Sequence, residues 1–152
     1  NYVENLNSLS LVKILKNINP DYVIVSGARL IKGKVFEMIK NKSANVHLGN
    51  VLKYRGLDSN LWALYHKDYK NIGVTIHKLH RTLDTGNILA YRKIAKSKKF
   101  LPYKLKFYES KLAVDLLVPI IYELSKKKIK GKIQKQKGKY YSFMPKVLKD
   151  IL

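Results

Sequence analysis

Asn45 and His47 stand two positions apart, and Asp84 opens an Asp-Thr-Gly turn well downstream of them. On a strand, residues two apart leave the same face, so the amide and the imidazole would share one surface. The amide offers an N–H donor, the imidazole a titratable ring, and a carboxylate arriving on a later loop can set that ring's charge. Together these groups are suited to stabilising an oxyanion and moving a proton. They make the chain readable as an enzyme.

The elements that must gather them can be read from periodicity. Residues 8–18 place Leu11, Ile14, Leu15 and Ile18 on one helical stripe, which Pro20 ends. Tyr22-Val23-Ile24-Val25 is a continuous apolar run of the kind buried on both faces of a parallel sheet. A short helix is expected over 34–40, then a strand over 44–48 carrying Asn45 and His47. A loop through Tyr54-Arg55-Gly56 leads to a helix over 60–65, and strands are expected over 73–79 and 88–94 around a loop at 80–86. A long helix over 104–126 places Leu105, Tyr108, Leu112, Leu116 and Ile120 near helical spacing, with a kink expected at Pro119. The alternation predicts an α/β fold with a mostly parallel sheet. Residues 1–125 read as the core and 126–152 as a basic extension of the same domain.

With 152 residues and 46% hydrophobic content, the chain suits one globular domain. It has no cysteine, hence no disulfide framework or thiolate metal site, which fits a reducing cytoplasm. The longest apolar run, 116–122, is too short to span a bilayer, so no membrane partner is expected. The net charge is +21, yet the only arginines are Arg29, Arg55, Arg81 and Arg92. Base and phosphate readers rely on the bidentate guanidinium, and the Lys, Asn, Ile and Tyr usage matches AT-rich coding, so nucleic acid is not the expected partner. His77 and His80 flank the Asp84 loop without carboxylate or cysteine partners at metal-ligand spacing, and no metal is expected. His66 reads as a solvated residue and Trp62 as core.

Four motifs occur in order: Asn45-x-His47, Tyr54-Arg55-Gly56, Gly73-Val74-Thr75-Ile76-His77 and Asp84-Thr85-Gly86, with a Trp62-Ala63 pair between the second and third. In this the chain resembles the folate-dependent formyltransferases, which act on glycinamide ribonucleotide, methionyl-tRNA or nucleotide-linked amino sugars. The resemblance is strongest from Pro20 to Ile94 and weaker through the long helix and 134–145. It implies a Rossmann-like sheet and attack by an amine on the formyl carbon of 10-formyltetrahydrofolate. Asn45 would donate to the oxyanion, and His47 would stabilise the same charge and assist proton transfer. Asp84 would favour the protonated form of His47 and help relay the amine's proton. The resemblance places the folate along Ala28, Arg29, Leu30, Ile31 and Lys32, facing Arg81, Thr82, Leu83 and Asp84. Tyr54 and Arg55 lie near the acceptor, where Arg55 either contacts an anionic acceptor or packs the loop.

Leu48-Gly49 after the histidine is closest to the sugar-type enzymes, so the expected acceptor is a small amine on a nucleotide-linked sugar. Glycinamide ribonucleotide or methionyl-tRNA is the alternative acceptor, and a non-catalytic remnant or basic nucleic-acid-binding module is the alternative class. Leu52-Lys53 stands where many relatives have a proline, which leaves that loop less rigid. Relatives also carry further strands ahead of the Tyr22–Val25 segment, so the chain is expected to be N-terminally incomplete and to expose an apolar sheet edge. The expected outcome is self-association through that edge or low stability, and sedimentation analysis combined with thermal unfolding checks it. A monomer with a cooperative transition at ordinary salt would contradict the expectation.

Overall fold

The computed structural model describes residues 2–94, 102–126 and 130–152. The chain opens with α1 (Leu9–Ile18). The Ser8 hydroxyl accepts the Leu11 N–H at 3.3 Å to cap its start, and Asn19 ends it in a left-handed turn, φ 42°. Its inner stripe is Val12 with Leu11 and Leu15, packed on Val25, Val35, Phe36 and Ile39. Ile18, expected on that stripe, is exposed because the helix closes beyond the contact.

The central sheet contains β1 (Val23–Ser26), β2 (Ser43–His47), β4 (Gly73–Lys78) and β5 (Ile88–Lys93), in the order β1-β2-β4-β5. Helix α2 (Gly33–Ile39) makes the crossover between β1 and β2, which are parallel. The other two pairings, β2 with β4 and β4 with β5, are antiparallel. The α/β class is as expected, but the sheet is mixed, not mostly parallel. Between β2 and β4 the chain runs through β3 (Tyr54–Gly56), α3 (Ser59–Tyr65) and a 3₁₀ turn (Tyr69–Asn71), and β4 joins β5 through the loop carrying Asp84. Such a direct hairpin connection can only produce antiparallel neighbours. Strand β1 is at the edge, and among its residues only Val25 is buried, so the expectation of burial on both faces fails there.

Helix α4 (Pro102–Ser125) crosses the sheet and packs Ala113, Leu116, Ile120 and Leu124 against Ala44, Val46, Val74 and Ile76. Pro119 lies inside this continuous helix with its ring toward solvent. Tyr108, expected on the buried stripe, is 40% exposed, and the neighbouring Glu109 is the buried residue at 1%. The period was read correctly, but a carboxylate occupies the inward position because α3 supplies it with a donor.

The 130–152 segment returns over the front of the sheet. Its β6 (Lys139–Tyr141) pairs in parallel with β3, and the Trp62 indole N–H donates to the Ser142 carbonyl at 2.9 Å. The expected loop through Tyr54-Arg55-Gly56 is therefore a short strand. Residues 127–129 of the expected Lys-rich stretch lie outside the described residues. Helix α5 (Lys146–Lys149) follows. Among the described residues, no helix is long and apolar enough to cross a membrane.

Asn60 joins three of these elements. Its amide nitrogen donates to the Gly73 carbonyl and to Glu109 Oε1, both at 2.8 Å, and its oxygen accepts the Gly73 N–H at 3.0 Å. Replacing Asn60 by Ala orphans the Gly73 groups and a buried carboxylate. Urea unfolding is expected to show a loss of about 2–4 kcal/mol, since each unsatisfied buried group costs about 1–3.

Candidate active site

Antiparallel pairing of β2 with β4 sets Asn45 opposite His77 and His47 opposite Thr75. The Asp84 loop folds back over these positions. Asp84 Oδ2 is 3.5 Å from His47 Nδ1, and Oδ1 is 3.5 Å from His77 Nε2. The Gly56 N–H donates to Oδ2 at 2.8 Å. The three residues singled out in the sequence are thus brought together, and His77 joins them.

The hydrogen bonds define the ring tautomers. His47 Nε2 is 2.9 Å from the Tyr54 carbonyl and His77 Nδ1 is 2.8 Å from the Lys78 carbonyl. A carbonyl only accepts, so both of these nitrogens carry hydrogen. In the neutral rings, the lone pairs are then on His47 Nδ1, facing Asp84, and on His77 Nε2. The Asn45 amide donates to His77 Nε2 at 3.0 Å. An NH₂ group has a second hydrogen, and Asn45 lines a cavity.

Burial pushes the His47 ring below its ordinary value of 6.5; Asp84 and the Tyr54 carbonyl push up, while His77 pushes down, and burial prevails. Asp84 does favour the protonated form of His47, but its pull is smaller than the desolvation of a fully enclosed imidazole. For Asp84, burial acts upward, but the two histidine rings beside it and the Gly56 N–H together hold the carboxyl below the ordinary value. The resting site is a neutral imidazole beside a carboxylate. Gly49 makes room for the ring, because a Cβ there would lie 2.7 Å from His47 Nε2 and 2.6 Å from the Ser59 Cβ.

A cavity of about 240 Å³ opens in front of Asn45, His47 and Asp84. Its far wall includes Ser59, Lys106, Glu109 and Phe143. Glu109 is buried with its Oε2 3.3 Å from Lys106 Nζ, and burial pushes its carboxyl above the ordinary value. A narrower cleft of about 30 Å³ is lined by Ala28, Arg29, Leu30 and Ile31 on one side and by Thr82, Leu83 and Asp84 on the other, with Asn45 and His77 at its base.

Four expected contacts are placed elsewhere. Lys32 is exposed and outside both openings; its N–H donates to Asn7 Oδ1 at 2.7 Å ahead of α2. Arg81 points away to Glu37, 3.2 Å distant. The Tyr54 ring stacks on Tyr141 with centroids 5.4 Å apart, and its hydroxyl donates to Asp68, so only its carbonyl serves the site. Arg55 donates to the carbonyls of Gly138 and Leu83 at 2.7 and 3.2 Å, which decides for loop packing over acceptor contact. Sequence reasoning missed His77, Glu109 and Lys106 as residues of the site. The signal for His77 was its place in the Gly73–His77 motif, but its pairing with Asn45 follows only from an antiparallel register.

An amide donor, a neutral imidazole and a carboxylate are gathered at a cavity on an α/β sheet, groups able to stabilise an oxyanion and move a proton. The chain belongs to the formyl transferase family, whose model matches residues 4–100. It is 32% identical over 124 residues to a methionyl-tRNA formyltransferase of Finegoldia magna, covering 81% of this chain and 40% of that protein. Among solved structures it is similar to the formyltransferase PseJ from Anoxybacillus kamchatkensis, in complex with UDP-4,6-dideoxy-4-formamido-L-AltNAc and tetrahydrofolate. The identity is 26%, the TM-score 0.73, and the match covers 82% of this chain and 66% of that one. A sugar N-formyltransferase from Shewanella sp. shares the fold with a TM-score of 0.76 at 19% identity, covering 91% of this chain and 55% of that one. The chain spans about 40% of the length of the first curated relatives it matches.

The depressed His47 value has a sign that can be measured. The unfolded ring, at 6.5, takes a proton before the folded one does. Its contribution to stability is therefore complete above that pH and is lost as pH falls toward the folded value. One proton corresponds to about 1.4 kcal/mol per pH unit at most. Urea unfolding between about pH 7 and pH 5 is expected to show a shallower pH slope in His47→Gln than in the wild type.

Proposed function

We propose that this chain carries the catalytic site of an N-formyltransferase, which moves a formyl group from 10-formyltetrahydrofolate to a primary amine on a nucleotide-linked sugar. The observation that carries the reading is Asn45, its amide held by His77, lining one cavity with a paired imidazole and carboxylate. The cleft between 28–31 and 82–84 shares Asn45 and Asp84 with that cavity and lies where the resemblance places the folate. The donor substrate supplies the formyl carbon and departs as tetrahydrofolate once its N10 is protonated.

The residues of this chain have distinct tasks in that transfer. As the amine nitrogen bonds to the formyl carbon, the carbonyl oxygen gains charge, and the Asn45 N–H stabilises it; such a donor is worth about 2.7–4 kcal/mol. His77 fixes the orientation of that amide and costs no reorganisation when charge develops. The amine gives up one proton, and the nitrogen leaving the formyl carbon gains one. His47 Nδ1, unprotonated at rest, is able to take the first, and Asp84 at 3.5 Å stabilises the imidazolium that results.

The Leu48-Gly49 sequence and the nucleotide-sugar complex of PseJ support a sugar acceptor. The methionyl-tRNA formyltransferase relative supports a tRNA acceptor as the second reading. Initial rates with 10-formyltetrahydrofolate and a panel of nucleotide-linked amino sugars, glycinamide ribonucleotide and methionyl-tRNA separate them, and the highest kcat/KM is expected for an amino sugar. Asn45→Ala, His47→Ala and Asp84→Ala are each expected to lower turnover at least about a hundredfold. Near-normal turnover in His47→Ala overturns the assignment.

A further inference from the structure

The loop that presents Asp84 is not held in place by strand pairing. Asp84 itself is left-handed, with φ 55°, a conformation that costs most residues energy and that Asp tolerates. Two residues on, a Cβ at Gly86 would lie 1.7 Å from the Lys78 carbonyl, so the backbone is pressed against the end of β4. The carbonyls on either side of this bend find their donors in side chains from remote segments. Arg55 donates to Leu83 O at 3.2 Å. Gln134 Nε2 donates to Asp84 O at 3.0 Å and to Gly86 O at 2.7 Å.

The Gln134 amide has only one sensible orientation. Facing two carbonyl oxygens, its NH₂ end makes two hydrogen bonds, whereas its oxygen in that place would repel both. The other end then accounts for a second observation: Gln134 Oε1 is buried and, among the described residues, has no hydrogen-bond partner. An amide with one end doubly bonded and the other left orphaned is selected for the bonded end, because the orphan works against folding. Gln134 is itself placed by its neighbours, since Lys132 exchanges backbone hydrogen bonds with Ile88 at 2.7 and 2.8 Å. The segment around it is thereby stitched to the first residue of β5.

We infer that Gln134 is a positioning residue for the reaction, clamping the Asp84 bend from both sides so that the carboxylate stays between His47 and His77. This rests on the formyl-transfer reading for the role of Asp84, although the clamp has a readout that needs no substrate. Released from the clamp, the bend relaxes, Asp84 withdraws, and the positive pull it exerts on the His47 ring weakens. The groups facing that ring are Asp84, His77 and the Tyr54 carbonyl, and of these only Asp84 is carried by the clamped loop.

The test compares Gln134→Met, which fills the volume without a donor, with Gln134→Lys, which restores one. Turnover in Gln134→Met is expected to fall about ten- to a hundredfold, as for a misplaced catalytic group, with both KM values within about twofold and little change in Tm. Gln134→Lys is expected to keep most of the wild-type turnover. In ¹⁵N NMR titrations the His47 ring of Gln134→Met is expected to titrate at lower pH than in the wild type. An unchanged His47 titration together with wild-type turnover in Gln134→Met overturns the inference, as does a Lys variant as slow as the Met variant. If Gln134→Met does not fold, Gln134→Leu removes the donor without adding a charge, and the same outcomes apply. A wild-type chain without formyl transfer to any amine overturns the reading of the reaction alone, because the NMR shift then still decides the clamp.

Discussion

A carboxylate taken out of water keeps its charge only where donors and opposite charges replace the lost hydration, and Asp84, 7% exposed, is in that position. Three groups face it: the Gly56 N–H, which donates to it, and the His47 and His77 rings, each 3.5 Å from one of its oxygens. Each comes from a different part of the fold. β3 brings Gly56, β2 brings His47, and β4 brings His77 while launching the loop on which Asp84 rides. The sheet register, the small β3–β6 ribbon and the loop conformation therefore have to be correct together, or a buried charge is left without partners.

That arrangement also sets the resting protonation. Burial of His47 outweighs the attraction of Asp84, so the ring is neutral and its Nδ1 lone pair is ready to accept a proton. The carboxylate is already ionised and already in place when the imidazole becomes charged. Stabilisation prepared in advance requires no solvent reorganisation at the moment of transfer, which is where such sites gain most of their effect. Asn45 follows the same logic: one amide hydrogen is spent on His77 so that the other has a fixed direction.

The basic C-terminal segment is the second part of this design. Arg55 binds the carbonyls of both Leu83 and Gly138, Gln134 binds those of Asp84 and Gly86, and Phe143 reaches the cavity wall. The Met144 N–H donates to Asp58 at the start of α3. A side chain that the sequence offers as a substrate contact, Arg55, and others from the basic extension instead fasten the loop that carries Asp84. Lysines dominate the exterior, and the positive field they create favours the approach of anionic molecules to the open face.

The sequence by itself determined the elements and the identity of the central residues. Helical stripes, short apolar runs and the ordered Asn45-x-His47, Tyr54-Arg55-Gly56, Gly73–His77 and Asp84-x-Gly86 motifs are local patterns, and local patterns report local structure and chemistry. They do not report strand direction, and a sheet read as mostly parallel hid His77, whose pairing with Asn45 requires β4 to run against β2. They also do not report burial by a particular neighbour: Glu109 sits inside because Asn60 meets it, and Tyr54 turns away because Asp68 and Tyr141 hold it. The sign of the His47 shift belongs to the same group. Its carboxylate partner is visible in the chain, but the desolvation that outweighs it exists only once β2, β3 and β4 close around the ring.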